Sequence, residues 1–373
     1  MIRIFKKYNI DNYRFSLVFC LIGLSVLGIL LIGSADASYQ KTQIMGLVLG
    51  VVLMLILSLL DYHFILFFYR IIYILNLLML LWVKFGGKES HGATRWIQVT
   101  QSFQFQPSEL SKILLILFSA QYIMEHEDDL NSWKTLLKLF VLYALPVALI
   151  LLQPDLSTSI TIVFILCSII FVGGLSYKII GVFLAVVVPL GTAFLILVEK
   201  LGDKILYSHQ YNRIMAWLHP EQYINSEGYQ QANSIIAIGS GKLTGKGLNN
   251  NVISSVKNGN YISEPQADFI FSIAGEELGF LGSVFIILLL GIIVISCLRI
   301  ARNATDLSGK LIATGMAAFI GFQGFVNISV ATGIIPNTGL PLPFVSYGLT
   351  SLVSLFIGMG IVLNVELQKK TFR

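Results

Sequence analysis

The chain has 373 residues, with 25 Lys and Arg against 20 Asp and Glu, a formal net charge of +5, 55% hydrophobic residues and only 12% charged ones. An average soluble domain carries roughly 25% charged residues, so a soluble globule and a disordered chain are both excluded. Three cysteines are too few for a disulfide-stapled fold, the scattered basic residues leave no footprint for nucleic acid, and a mean hydropathy of +0.79 leaves an all-α integral membrane protein.

A hydrocarbon core of about 30 Å takes about 20 apolar residues per helix. Runs that qualify, or nearly so, are 15–33, 42–60, 64–83, 107–124, 135–153, 158–174, 179–198, 270–298, 311–333 and 347–365. They predict about ten transmembrane helices in a single polytopic unit over 1–373, with one large extracytoplasmic loop, 199–268, between spans seven and eight. The first run resembles a signal peptide, with Arg3, Lys6 and Lys7 before it and Ala35-Asp36-Ala37 after it. Its apolar stretch exceeds the 7–15 residues of a signal core, so it reads as a retained span. Cys20, Cys167 and Cys297 lie inside apolar runs and read as small core residues.

Orientation follows the distribution of Lys and Arg in short loops. With the N-terminus inside, the inner segments hold thirteen: Arg3, Lys6, Lys7, Arg14, Lys134, Lys138, Lys178, Arg299, Arg302, Lys310, Lys369, Lys370 and Arg373. The short outer loops hold four, Lys41, Lys84, Lys88 and Arg95, so both termini are expected in the cytoplasm. The inner loop from Glu125 to Asp129 is acidic, but acids count little in this rule.

Taken in chain order, the unusual residues begin in the outer loop 84–106 with Arg95 and Trp96. Gln106-Pro-Ser-Glu-Leu-Ser-Lys112 starts a helix: Pro107 suits its first turn, and Glu109 is an acid at the positive end of the dipole. Glu109 and Lys112 share a face and can pair. A structural ion pair and a phosphate-binding site are both open readings. In Gln153-Pro-Asp-Leu-Ser-Thr158, Asp155 or Ser157 can cap the next helix, and capping alone explains most such sequences. His209, His219 and Glu221 are too dispersed for metal ligands, and no metal site is expected.

The segment Gly239-Ser-Gly-Lys-Leu-Thr-Gly-Lys-Gly247 looks like a phosphate loop but has Ser240 where a Walker loop needs Gly, and Gly247 where it needs Ser or Thr. It reads as a flexible glycine loop with two cations, Lys242 and Lys246. Ser263 to Glu277 carries Glu264, Asp268, Glu276 and Glu277 into an apolar helix. Asp268 sits where the long loop enters the eighth span, and the last two acids lie too deep to be caps. A carboxylate at a membrane surface can serve as a general base. Finally, 334–346 is too Pro-rich to be helix, so its backbone must be buried in protein or line a wet cavity.

Together these segments resemble the SEDS family (shape, elongation, division and sporulation). The matching pieces are Gly92-Ala-Thr-Arg-Trp-Ile97, Gln106 to Lys112, Gln153-Pro-Asp155, Ile236 to Gly241 with Gly245-Lys-Gly247, Glu264 with Asp268-Phe-Ile-Phe271 and Glu276-Glu-Leu-Gly279, and Pro341-Leu-Pro-Phe-Val-Ser-Tyr-Gly348. They run from the third span to the last in the family's order. Ser263, Lys242, Ala267 and Leu349 depart from the pattern without removing an ionisable group. The Gly245-Lys-Gly247 segment is more like the RodA branch than the FtsW branch.

The resemblance implies a peptidoglycan glycosyltransferase that polymerises lipid II on the outer face of the plasma membrane, with an elongation role favoured over division or sporulation. It implies inversion at the sugar, with undecaprenyl pyrophosphate leaving. Asp268 is the expected base, and Arg95 and Lys112 are cations for the pyrophosphate. Trp96, Glu109, Asp155, Lys246, Glu264 and Ser346 complete the expected substrate contacts. No organic cofactor is expected, and the pyrophosphate leaves room for a divalent cation. The implied partner is a class B penicillin-binding protein docked on the eighth and ninth spans, together with other elongation or division proteins. The rival class is a flippase for the lipid-linked precursor, which would suit ten spans and a broken, Pro-rich segment. A transporter site usually lies near the midplane, however, and here the densest motif lies in one outer loop. A pure scaffold would leave the carboxylates unexplained.

Overall fold

The computed structural model describes residues 8, 12–90, 93–98, 104–205, 208–223, 226, 228–249, 255, 259 and 261–369. Gly92, His91, Lys257 and the terminal cations Arg3, Lys6, Lys7, Lys370 and Arg373 lie outside the described residues, as do the side chains of Lys88, Lys200, Lys204 and His209. The described chain is nearly all helix: α1 Phe15–Ala35, α2 Ala37–Leu59, α3 Tyr62–Phe67, α4 Tyr69–Gly86, α5 Pro107–Glu125, α6 Trp133–Leu151, α7 Leu156–Val172, α8 Tyr177–Ile205, α9 Ser208–Leu218, α10 Pro220–Tyr223, α11 Tyr229–Ser240, α12 Ile270–Asn303, α13 Leu307–Ala331 and α14 Leu349–Leu367. Among the described residues, eight helices are long and apolar enough to cross a membrane: α1, α2, α4, α6, α8, α12, α13 and α14. The apolar α7 and the largely buried α5 fall on the two remaining predicted runs.

Burial sorts these helices into layers. Most of α5, α13 and α14 is enclosed, and α2, α7 and α12 pack around them. The outer helices expose large apolar side chains such as Phe140 and Leu190, a surface that only lipid or another apolar partner can cover. The end carrying the termini is tied by polar side chains. Asn364 on α14 donates to the Ser58 carbonyl (2.8 Å) and accepts from the Tyr62 amide (3.0 Å) and Gln368 (2.8 Å). Asp306 caps α13 through the Gly309 amide (3.1 Å) and accepts from the Tyr62 hydroxyl. His63 lies between Asp61 (2.9 Å) and Asp306 (3.3 Å).

At the opposite end the chain is less regular than the apolar runs suggest. The loop after α4 forms a three-stranded antiparallel sheet, β1 Lys88–Ser90, β2 Ala93–Gln98 and β3 Gln104–Phe105, in the order β1-β2-β3. The long loop is also partly helical, through α9, α10 and α11. Its polar, Gly- and Ser-rich sequence gives little apolar periodicity from which to predict those helices.

The eighth predicted span is broken. Gly279 has φ +68° and ψ −163°, which interrupts α12 two residues after Glu277. The segment 242–247 repairs the break. The amides of Phe280 and Leu281 donate to the carbonyls of Lys242 (2.9 Å) and Leu243 (3.1 Å), and the amides of Lys246 and Gly247 donate to those of Glu276 (2.9 Å) and Glu277 (3.0 Å). A Cβ on Gly245 would lie 2.1 Å from the Glu277 carbonyl oxygen, and one on Gly279 2.2 Å from the Gly245 amide nitrogen. The glycines therefore serve backbone-to-backbone contact. The expectation of a flexible loop is corrected, because these residues supply the hydrogen bonds that a broken helix lacks.

The Pro-rich segment 334–346 is non-helical, as expected, and Leu340, Leu342, Phe344 and Val345 are buried. Its carbonyls are met by side chains from three helices, α2, α11 and α13. Gln231 donates to Ile335 (2.8 Å), Asn327 to Leu340 (2.7 Å), Gln323 to Pro341 (2.8 Å) and Gln43 to Ser346 (3.0 Å). Irregular backbone is tolerable at this depth because each of these polar groups has a protein partner.

Candidate functional site

Asp268 stands two residues before α12, and its surroundings come from five separate parts of the chain. The Asn327 side chain holds its backbone carbonyl (2.8 Å) and the neighbouring Leu340 carbonyl together. Gly339, at φ +74°, lies beside the carboxylate: a Cβ there would come within 3.4 Å of Oδ2. Glycine keeps that flank of the acid clear and accepts a backbone angle that other residues resist.

The residue keeps an accessible edge, but its carboxylate is packed round by protein. Burial pushes its pKa up, Arg213 and Arg95 pull it down, and Glu264 and Asp155 raise it again, with a net value of about 6. An ordinary aspartate is near 3.9. An acid poised this close to neutrality among charged neighbours is a candidate proton acceptor, since general bases work best with a pKa near the operating pH.

The other expected residues divide into those gathered near Asp268 and those placed elsewhere. Arg95 on β2 donates through Nε to the Gln153 carbonyl (3.1 Å) and through Nη2 to the Pro154 carbonyl. It therefore clips the turn between α6 and α7 and carries its charge to the site. Asp155 caps α7, accepting from the Thr158 amide (3.2 Å) and hydroxyl (2.9 Å), so the capping reading holds while its charge still reaches Asp268. Trp96 is half-buried beside Arg95 on β2. Glu264 is exposed, at φ +52°, at the start of the turn that leads to Asp268. The Ser346 hydroxyl donates to the Ala267 carbonyl (2.6 Å) and accepts from the Leu342 amide (2.7 Å). It therefore holds the loop that carries Asp268.

Lys112 and Glu109 are not at the surface. Lys112 has no exposed area, and its ammonium donates to Glu109 (2.8 Å) and Gln323 (2.9 Å) and lies 4.4 Å from the centroid of the Phe319 ring. Of the two open readings, this geometry is that of a structural pair between α5 and α13. Lys246 pairs with Glu276 (2.6 Å) at the repaired break of α12.

Arg213 was not singled out in the sequence, yet it exerts the largest charge effect on Asp268. It lies on α9, an element with no apolar-run signal. The available clue was a single cation in Tyr211-Asn-Arg213, within a stretch whose neighbours are mostly uncharged. Among the described residues no group of three or more His, Cys, Asp or Glu forms a candidate metal set.

The fold and this site define a polytopic helical membrane protein with an acid and two guanidinium groups brought together by irregular loops at one end of its bundle. A family model described as a cell cycle protein, covering FtsW, RodA and SpoVE, matches residues 10–371, and the chain belongs to that family. It is 32% identical to the peptidoglycan glycosyltransferase MrdB of Escherichia coli K12 over 364 residues, 98% of this chain and 95% of the relative. It is 34% identical to a probable peptidoglycan glycosyltransferase FtsW of Haemophilus influenzae over 306 residues, 81% of this chain and 74% of the relative. Among solved structures it is similar to a chain of a peptidoglycan synthase complex in which polymerization and crosslinking are coordinated. That match has a TM-score of 0.77 and 29% identity, with 95% and 97% of the two chains covered. The rod shape determining protein RodA of Thermus thermophilus matches with a TM-score of 0.69 and 28% identity, covering 96% of this chain and 97% of that one.

Proposed function

We propose that this chain is a peptidoglycan glycosyltransferase that polymerises lipid II, with Asp268 as the general base. The observation that carries the assignment of the base is a carboxylate raised to about 6 beside two guanidinium groups, Arg213 and Arg95. Asp268 takes the proton from the acceptor sugar's 4-hydroxyl as that oxygen attacks the donor's anomeric carbon. The bond from that carbon to the pyrophosphate breaks on the opposite face, so the α-linked donor gives a β-1,4 product. The pyrophosphate leaves as a stabilised anion, and the guanidinium groups offset its charge. Lys112 is sealed inside the bundle and is not assigned to this step. The site is extracytoplasmic in this reading, which the Lys and Arg of the short loops support.

The partner is a class B penicillin-binding protein whose membrane helix lies on α12 and α13. Phe285, Leu288 and Ile292 on α12 expose apolar area suited to such a helix. The test is polymerisation of lipid II by purified protein with its transpeptidase. Asp268→Ala is expected to lower the rate by roughly 10²–10⁴ while protein level and partner binding persist. Glycan made at near the normal rate by that variant would remove Asp268 from the mechanism. Polymerisation in detergent, where no sidedness exists, separates an enzyme from a flippase.

A further inference from the structure

A cleft of about 680 Å³ opens at the end of the bundle away from Asp268, between α4, α5 and α6. Nothing in the glycosyl transfer uses it. Three nitrogen-bearing side chains line it: Arg70 on α4, His126 at the C-terminal cap of α5 and Lys138 on α6. Deeper in, its walls are apolar, with Ile74 and Val141 one turn further along α4 and α6. Between the two zones stands Tyr122, which is only 8% exposed. Its hydroxyl has no hydrogen-bond partner, although the residue lines the cleft. A buried phenol without a partner costs free energy unless a ligand or water meets it.

The neighbouring groups are accounted for. His126 stacks on Tyr122 (centroids 4.3 Å apart), and its Nδ1 is engaged with the Tyr122 carbonyl (2.9 Å), which leaves Nε2 for a ligand. Arg70 is 3.7 Å from Glu125, which also accepts from Tyr69 and Gln121, and the Arg70 side chain remains 78% exposed. Glu127, Asp128 and Asp129 follow on an exposed turn and do not line the cleft.

We infer that this cleft binds the phosphate of a membrane phospholipid, with Arg70, Lys138 and the Tyr122 hydroxyl as its donors and the acyl chains along the Ile74–Val141 wall. The order of the lining argues for a lipid over a free anion: cations at the helix ends, one polar group below them, then apolar surface toward the bilayer. Basic pockets between membrane helices on the cytoplasmic side are suited to phospholipid headgroups. The end that holds this cleft is the one that the charge distribution places in the cytoplasm.

The experiment uses full-length, delipidated protein in detergent, with Tm titrated against three probes. These are phosphatidylglycerol, a diacylglycerol with the same chains and no phosphate, and inorganic phosphate. Phosphatidylglycerol is expected to raise Tm saturably and more than either other probe. The double variant Arg70→Gln/Lys138→Gln should weaken the half-saturation concentration by roughly 10- to 30-fold, and Tyr122→Phe by several-fold. Tm without lipid monitors folding of each variant. Equal shifts from diacylglycerol would show an apolar groove only, and equal shifts from inorganic phosphate a simple anion site. Unchanged titration of the double variant would show that these cations do not bind it. Each of these three outcomes overturns the inference. None of them bears on polymerisation at Asp268, which is assayed separately.

Discussion

At the residue scale, Asp268 carries a conflict between function and stability. Its pKa is about 6 in the folded protein and near 3.9 in an unfolded chain. Between those values the folded state binds more protons than the unfolded one, so this residue's contribution to stability falls as pH rises through the window. Asp268→Asn should therefore raise Tm at pH 7.5, with the gain shrinking toward pH 4. Polymerisation should vanish in the same variant. In the unaltered protein, activity should fall as pH drops through about 6, because the base is then protonated. A pH series of Tm and rate on both proteins checks both signs. Lys112 makes the opposite case. Removing one partner of a buried pair leaves an uncompensated charge, typically a loss of about 3–5 kcal/mol. Lys112→Ala should lower Tm and activity together, and Lys112→Met with Glu109→Leu should restore much of the Tm.

At the element scale, the repaired break in α12 fixes how the long loop meets the bundle. Alanine at Gly279 must hold a left-handed φ, at a cost of about 1–2 kcal/mol, and its Cβ would meet the Gly245 amide. Gly279→Ala should lower Tm, and hydrogen exchange should quicken at the Phe280 and Leu281 amides that now donate to the loop. Exchange unchanged at those two amides would mean the loop does not hold the break. The all-helical membrane class was legible because hydropathy alone selects a lipid-facing or core helix, and eight of the apolar runs fall on helices long and apolar enough to cross a membrane among the described residues. The turn at Gly279 was not, because Glu276 and Glu277 beside it marked acids in an apolar helix but not a break in it, and its cause is a loop more than thirty residues earlier. The same limit hid Arg213. Asp268 could be singled out by its own sequence context, whereas the cation beside it is brought there only by tertiary folding. The Glu109–Lys112 spacing correctly indicated a pair, but spacing carries no information about depth, and the pair lies buried inside the bundle.

At the scale of the whole molecule, the two ends of the bundle carry different chemistry. Arg14 at the start of α1, Lys134 and Lys138 on α6, Arg299 and Arg302 at the end of α12, and Lys310 on α13 gather at the end that also holds His63 and the termini. Asp268, Arg95, Arg213 and Lys246 belong to the other end, with the sheet and the long loop. A cation excess at one end of short loops sets orientation during insertion, so the Asp268 end should face outward. The prediction is tested by single cysteines in a background with Cys20, Cys167 and Cys297 replaced. Lys242→Cys, on the exposed part of the loop, should react with a membrane-impermeant maleimide added to intact cells. Lys134→Cys, exposed at the start of α6, should react only after the membrane is opened. The reverse pattern would place Asp268 on the cytoplasmic side. A polymerase there would extend glycan inside the cell, so that result would overturn the extracytoplasmic assignment of the site and the inner-leaflet assignment of the Tyr122 cleft together.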